Sequence, residues 1–424
     1  MVNNTGLPDP SNFSTEGNSE DMPGGGVPVY AWSSETQGII LSSFFYGTLI
    51  SFVPNGYLAG ILGARKSLAI GLLMTSLLTI LIPFAAAQGV PCIILTRVTH
   101  GIFQGFAISS LPCFWRKWAP PLERNLLCGI STCGALLGNF TIFIASGFIS
   151  HSLGWPYIFY IFGAIGLAFC ALSFVLIYDD PMTHPYISKS EKEYIISSLP
   201  IEVRPPGWSL PIKAMAGSLP LWAIMIIEFC YFWIFASMTV SFPTLINTMF
   251  YFDTRNNGLL SSLPSIVSLI TIIIGSQLAD FLLSRKILSP VMVRKFFIVL
   301  GMLPGAALFI AIPYVSKYIA IVILILSLVM NNLYATVPTV NILDIAPRYN
   351  SFLCGVANAF ATLSQIIITT VFGFLIGQDP LNGWKTIFFL SAAIMLIGMI
   401  IFLMFGRAEI QDWAKERTDR TTRF

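Results

Sequence analysis

The chain has 424 residues, 55% of them hydrophobic and only 10% charged. Soluble domains carry about 25% charged residues, so a soluble globular fold is excluded, and a net charge of +3 gives no reason to expect nucleic acid as a partner. No His-Glu-x-x-His, Gly-x-Ser-x-Gly or paired-carboxylate motif points to an enzyme.

Residues 1–36 are polar, with no cleavable leader and two glycosylation sequons, at Asn3 and Asn12. They read as an extracellular or lumenal segment. Apolar runs of the ~17–25 residues that a bilayer-crossing helix needs then predict helices over 38–62, 67–88, 91–114, 125–150 and 156–178. These form a first bundle over 37–178. A polar inter-bundle loop, 179–219, leads to helices over 220–246, 258–283, 293–313, 318–342, 351–376 and 385–406. They form a second bundle over 220–406, with a tail at 407–424. The chain is therefore an all-α polytopic membrane protein of eleven spans. Its seven cysteines sit in or beside apolar runs without metal-like spacing, so packing explains them and no metal or cofactor is expected.

Of the 23 basic residues, 19 fall on loops of one side, three on the other and one, Arg97, within a span. The basic side is cytoplasmic by the positive-inside rule, which puts the N-terminus outside and the tail inside. The chain also repeats itself. "GYLAGILGARK" (56–66) matches "GSQLADFLLSRK" (275–286), "APPLERNLLCG" (119–129) matches "APRYNSFLCG" (346–355), and "GWPYIFY" (154–160) matches "GWKTIFF" (383–389). The offsets, 220, 227 and 229, are nearly constant and the order is kept. Two parallel six-helix halves form the major facilitator architecture. Only five helices precede the loop, so the counterpart of 220–246, the first transmembrane helix, is expected before residue 1.

Arg97 interrupts the stretch "CIILTRVTHGIFQGFAISSLPCF" (92–114). A charge at mid-span costs about 2.5–3.5 kcal/mol even on lenient insertion scales, so such a residue belongs in a wet cavity. His100 and Gln104 follow at i+3 and i+7 on the same face, while Gly101 and Gly105 suit close packing on the next. The planar guanidinium fork fits carboxylate or phosphate oxygens, which makes Arg97 the candidate anion ligand; the alternative is a snorkelling interfacial anchor. Glu228, in "IIEFCYFWIF", is the other charge deep in a span, a candidate for ion coupling or merely for lining water. Tyr231 could stack on a planar substrate or simply pack. Asp280 with Arg285 and Lys286, and Asp344 with Arg348, read as charge latches of an inner gate, whereas Gly60 stands at the first-half equivalent of Asp280.

"KWAPPLER", "LDIAPRY" and "LADFLLSRKIL" resemble the anion-transporting solute carrier 17 family, and "YDDPMTHPYISKSEKEYIISSL", "SLPIKAM" and "EIQDWAKER" resemble its type I sodium-dependent phosphate transporter branch. The resemblance runs along the whole chain. It implies transport of small anions by alternating access, Arg97 as the substrate arginine, sodium and chloride dependence, and an apical plasma membrane location, with a vesicle or the endoplasmic reticulum as the alternative. Against the glutamate-transporting members, Gln104 replaces a glutamate, Tyr231 an arginine and Leu41 a histidine. Those departures favour monovalent aromatic anions, such as urate, aminohippurate-like compounds and anionic drugs, over dicarboxylates. The competing expectation is a truncated, transport-deficient isoform acting as a binding or regulatory partner.

Overall fold

Glycines and prolines punctuate the apolar runs and set where the helices turn. The computed structural model describes residues 30, 32, 34–199, 210–250, 254–378 and 380–415. Helices α1 (Ser34–Leu62), α2 (Ala64–Gln88), α3 (Val90–Trp118), α4 (Arg124–Ser152) and α5 (Trp155–Leu176) build the first bundle. The α1–α2 and α2–α3 links are single glycines, Gly63 at φ +89° and Gly89 at φ +112°, a backbone region that side-chain-bearing residues avoid. At Gly63 the Asp179 carboxylate also lies 2.9 Å from where a Cβ would stand.

Two short helices, α6 (Lys189–Ser198) and α7 (Ile212–Ala216), lie between the bundles. The second bundle comprises α8 (Leu219–Phe250), α9 (Thr254–Ser284), α10 (Pro290–Ala311), α11 (Lys317–Asn332), α12 (Val337–Ile345), α13 (Asn350–Gln378) and α14 (Pro380–Phe405). Eleven segments among the described residues are long and apolar enough to cross a membrane, in register with the expected spans. The sequons at Asn3 and Asn12 lie outside the described residues.

One expected helix departs from the reading. The run 318–342 is broken by a turn at residues 333–336, giving α11 and α12. Pro338 explains the restart, because its ring excludes the carbonyl four residues back and it lacks an N–H to donate, which is tolerated in a first turn. Buried amides bond backbone carbonyls and neighbouring hydroxyls there. Asn332 donates to the Leu328 carbonyl (2.8 Å) and Ser268 Oγ (2.7 Å), and Tyr334 donates to Asn331 Oδ1 (2.6 Å).

The two bundles meet along two seams related by the internal repeat, α1 with α13 and α4 with α9. Within the first bundle, α1 lies flush on α3. A Cβ at Gly101 would fall 2.3 Å from the Phe44 carbonyl oxygen, so only glycine allows that approach. The glycine face of α3 thus packs as its spacing predicts. Burial is uneven between the halves. Of the apolar window in α8, 67% is buried, against 17% in α5. Eight of the ten largest fully buried side chains, Tyr334, Phe297, Phe309, Phe402, Ile224, Ile227, Ile234 and Met238, belong to the second bundle. There α8 packs on α13 and α14, whereas on α4 the equivalent face carries Gly134 and Gly138 with open space beside them.

Candidate functional site: a central cavity and its inner closure

A cavity of about 440 Å³ lies between the bundles, walled by α1, α3, α4, α8, α12 and α13. Its lining is aromatic and amide-rich. Phe44, Phe45, Trp115, Phe232 and Phe235 supply flat apolar faces, and Gln104, Asn139, Asn358 and Gln365 supply hydrogen-bonding groups. Glu228 is the one charged residue of this lining. Its side chain is 93% buried by exposure of 7%, and no cation stands within ion-pairing distance of it among the described residues.

Three of the five transport-site candidates, Gln104, Glu228 and Tyr231, line this cavity. Arg97 and His100 do not. They share a face with Gln104, but Arg97 sits seven residues, ~10 Å along the axis, nearer the N-terminal end of α3. Both are half-buried there. The His100 ring packs edge-on against Phe44, 5.6 Å between centroids, so Phe44 joins the upper pair to the cavity wall. Arg97 Nε and His100 Nδ1 are buried without a hydrogen-bond partner. Tyr231 shows its ring to the cavity but commits its hydroxyl to Asn332 Oδ1 at 3.1 Å, which ties α8 to the α11–α12 break.

At the end of the bundles formed by the α4 N-terminus and the α9 C-terminus, a polar network joins the two bundles. Asp280 accepts from the α4 N-terminus, from the Asn125 N–H (3.3 Å), Asn125 Nδ2 (2.6 Å) and the Leu126 N–H (2.7 Å). A helix N-terminus offers unsatisfied N–H groups and a partial positive charge, so a carboxylate is well placed there. Asn125 in turn accepts from Arg294 Nη1 at 2.6 Å. Asp344 pairs with Arg294 at 2.9 Å and with Arg124 at 3.4 Å. Beside these, Cys113 Sγ and Ser351 Oγ lie 2.6 Å apart, and Asn350 donates to the Pro112 carbonyl at 3.0 Å.

Asp280 and Asp344 both bond across the seam between the bundles, but with partners other than those expected. Arg285 and Lys286 make no ion pair with Asp280; they are exposed, and Arg285 lies over Phe281 at 5.8 Å. Arg348 lies over Tyr349 at 5.7 Å instead of pairing with Asp344. Exposed pairs gain little in water, whereas the seam presents buried donors that need an acceptor. Arg124, Asn125 and Arg294 were missed because sequence proximity does not reveal partners 50 to 220 residues away. The position of "ERN" in the repeated element was the available signal.

Under the first bundle the inter-bundle segment docks separately. Asp179 accepts from the Arg65 N–H at 2.8 Å, Asp180 pairs with Lys117 at 3.3 Å, and Trp118 donates to the Tyr178 carbonyl at 3.0 Å. On α6, Tyr194 donates to Glu123 Oε1 at 2.9 Å. That bond holds the phenol above its ordinary titration range, since it stabilises the protonated form.

Two pseudo-symmetric helical bundles around a central cavity, shut at one end, define a secondary transporter. The Major Facilitator Superfamily profile matches residues 18–368. The chain is 46% identical over 430 residues to the "Probable small intestine urate exporter" of Homo sapiens, covering 99% of this chain and 86% of that protein. It is 49% identical over 430 residues to "Sodium-dependent phosphate transport protein 3" of Mus musculus, covering 99% and 90%. The fold matches the proton:xylose symporter XylE with a TM-score of 0.71 at 16% identity, over 88% of this chain and 86% of that one. The chain belongs to the Major Facilitator Superfamily and, within it, to the phosphate-transporter branch of the solute carrier 17 family. It is a multi-pass membrane transporter and not an enzyme.

Proposed function

We propose that the protein carries monovalent organic anions with a planar, hydrogen-bonding body, of which urate is the model, by alternating access. One observation carries this reading: an arginine and an imidazole without counter-ions stand at the outer approach to a cavity lined by aromatic and amide side chains. The bidentate fork of Arg97 suits a carboxylate or an enolate-type oxygen pair, with His100 one turn further in. The anion then passes to the cavity, where Phe44, Phe232 and Phe235 offer stacking faces and Gln104 orients polar edges. Bare phosphate is a poorer fit, since it is small and strongly hydrated and no basic residue lines the cavity.

An ionised Glu228 opposes an anion in the same cavity. We therefore assign Glu228 to binding the co-transported cation, for which sodium is the candidate implied by the relatives' names. The network of Asp280, Asn125, Arg294, Asp344 and Arg124 is the inner gate, which must part for release.

The test is uptake of labelled urate, aminohippurate and phosphate into proteoliposomes holding the full chain. Arg97→Lys keeps the charge and loses the fork, so urate uptake should fall about tenfold, and Arg97→Gln should lose about 100-fold, as for charge-assisted hydrogen bonds worth ~1.5–3 kcal/mol. Gln104→Glu should add a pH dependence. Urate uptake at the parental rate and affinity in surface-matched Arg97→Gln would reduce Arg97 to an interfacial anchor. The open face of α4 favours a second reading, a transport-deficient partner. It predicts a folded, membrane-inserted chain that takes up none of the three anions.

A further inference from the structure

We propose that Tyr194 is a phosphorylation site that regulates the inner gate. It lies on α6, in the loop assigned to the cytoplasm by the distribution of basic residues, and its side chain is 47% exposed. Glu191 and Glu193 precede it, interleaved with Lys189 and Lys192, so the segment is polar and carries no net charge. α6 has only ten residues and buries only Ile195, and isolated helices of this length are marginal in water. The segment can therefore unwind into the extended form a kinase requires.

The position couples that tyrosine to the gate. Its hydroxyl donates to Glu123, and Glu123 immediately precedes Arg124, the residue of α4 that reaches across to Asp344. In the transfer, the bond from the terminal phosphorus of a nucleoside triphosphate to its bridging oxygen breaks and a bond to Tyr194 Oη forms. The phenolic proton leaves to the kinase base and the nucleoside diphosphate departs. The product can no longer donate to Glu123, and its roughly −1.5 to −2 charge repels that carboxylate. α6 is pushed from the turn before α4, the Arg124–Asp344 contact loses its support, and the gate opens more readily.

The experiment uses the full chain in inside-out vesicles, a purified tyrosine kinase with ATP, and a membrane-impermeant thiol reagent. Cys128 and Cys354 line the cavity behind the gate and report its opening. Mass spectrometry should find phosphate on Tyr194, and labelling of the two cysteines should accelerate roughly fivefold, the effect of perturbing the gate equilibrium by about one strong hydrogen bond. Tyr194→Phe should label moderately faster without kinase and show no response to it. Glu123→Gln keeps a hydrogen-bond acceptor but removes the repulsion, so phosphorylation should proceed while labelling accelerates less than twofold. Phosphate found only on other residues would overturn the proposal, as would a phosphorylated Tyr194 with unchanged labelling in the parental chain.

Discussion

The two seams between the bundles occupy equivalent places in the repeat but are closed by different chemistry. Where α1 meets α13, backbones touch: a Cβ on Gly355 would fall 2.5 Å from the Phe52 carbonyl oxygen and 3.1 Å from Gly56 Cα. Where α4 meets α9, a Cβ on the equivalent Gly129 would meet a side chain, that of Ser276, and Asp280 adds its three hydrogen bonds to the α4 N-terminus. At the first-half equivalent of Asp280 there is Gly60, with Ser351 Cβ 3.8 Å from where its own Cβ would lie. One seam is mainly backbone against backbone, with α13 bonded beside it to α3 through Ser351 and Asn350. The other is a latch. The two halves thus divide backbone contact and polar pairing between them instead of duplicating both.

The largest effect should come from the latch. Asp344→Ala leaves Arg124 and Arg294 buried without their shared partner, and an uncompensated buried charge costs about 3–5 kcal/mol. The closed state should lose that much, seen as a lower melting temperature and rapid thiol labelling of Cys128 from the inner side. Labelling as slow as in the parent would show that the polar seam is not the closure.

The backbone seam offers the next contrast. Gly355→Ala must displace backbone, so a loss of about 1–3 kcal/mol is expected. Gly129→Ala must displace the Ser276 side chain, hydroxyl and Cβ alike, but no backbone, so it should cost less than Gly355→Ala, about 1 kcal/mol. Equal losses in thermal unfolding would erase the distinction between the seams.

The same logic separates the outer faces of the bundles. Ser364 is fully buried on α13, and Ser364→Leu should destabilise by about 1–3 kcal/mol through overpacking. Gly138, its counterpart by the repeat, meets open space, so Gly138→Leu should be neutral or better. Comparable damage at both positions would mean that the face of α4 is covered after all.

The smallest effect concerns α6. Because the folded-state pKa of Tyr194 is raised above the ordinary 10.0, its bond to Glu123 is complete below pH ~10 and is lost as pH rises through the folded value. Tyrosine absorbance in an alkaline titration, compared with that of Tyr194→Phe, should show this phenol ionising above the ordinary 10.0.

Much of the fold is legible in the sequence, because a bilayer imposes length and apolarity on every span. The runs ending at Leu62 and Gln88 stop where the structure stops them, at glycines that no other residue replaces without strain. The break between α11 and α12 was hidden because hydropathy stays high through it. Only Pro338 and the paired Asn331 and Asn332 mark it. At the site, helical periodicity grouped Arg97, His100 and Gln104 on one face correctly, but a face is a stripe and a cavity has a depth. Depth separates Gln104 from the other two. Asp280 and Asp344 could be recognised as charges at helix ends, while their partners depended on which helices the topology brings together.

Glu228 and Arg97 have an electrical consequence. With Glu228 ionised, its charge and that of Arg97 cancel, so these two residues add no net charge to the empty carrier. Loaded with one monovalent anion, the moving site carries −1; with the anion and one monovalent cation it is neutral again. Moving one charge through 100 mV amounts to about 2.3 kcal/mol, enough to change a rate by more than tenfold. The sign and size of the current recorded during transport therefore count the ions in the cavity directly. Converting Glu228 to glutamine should shift that count by one.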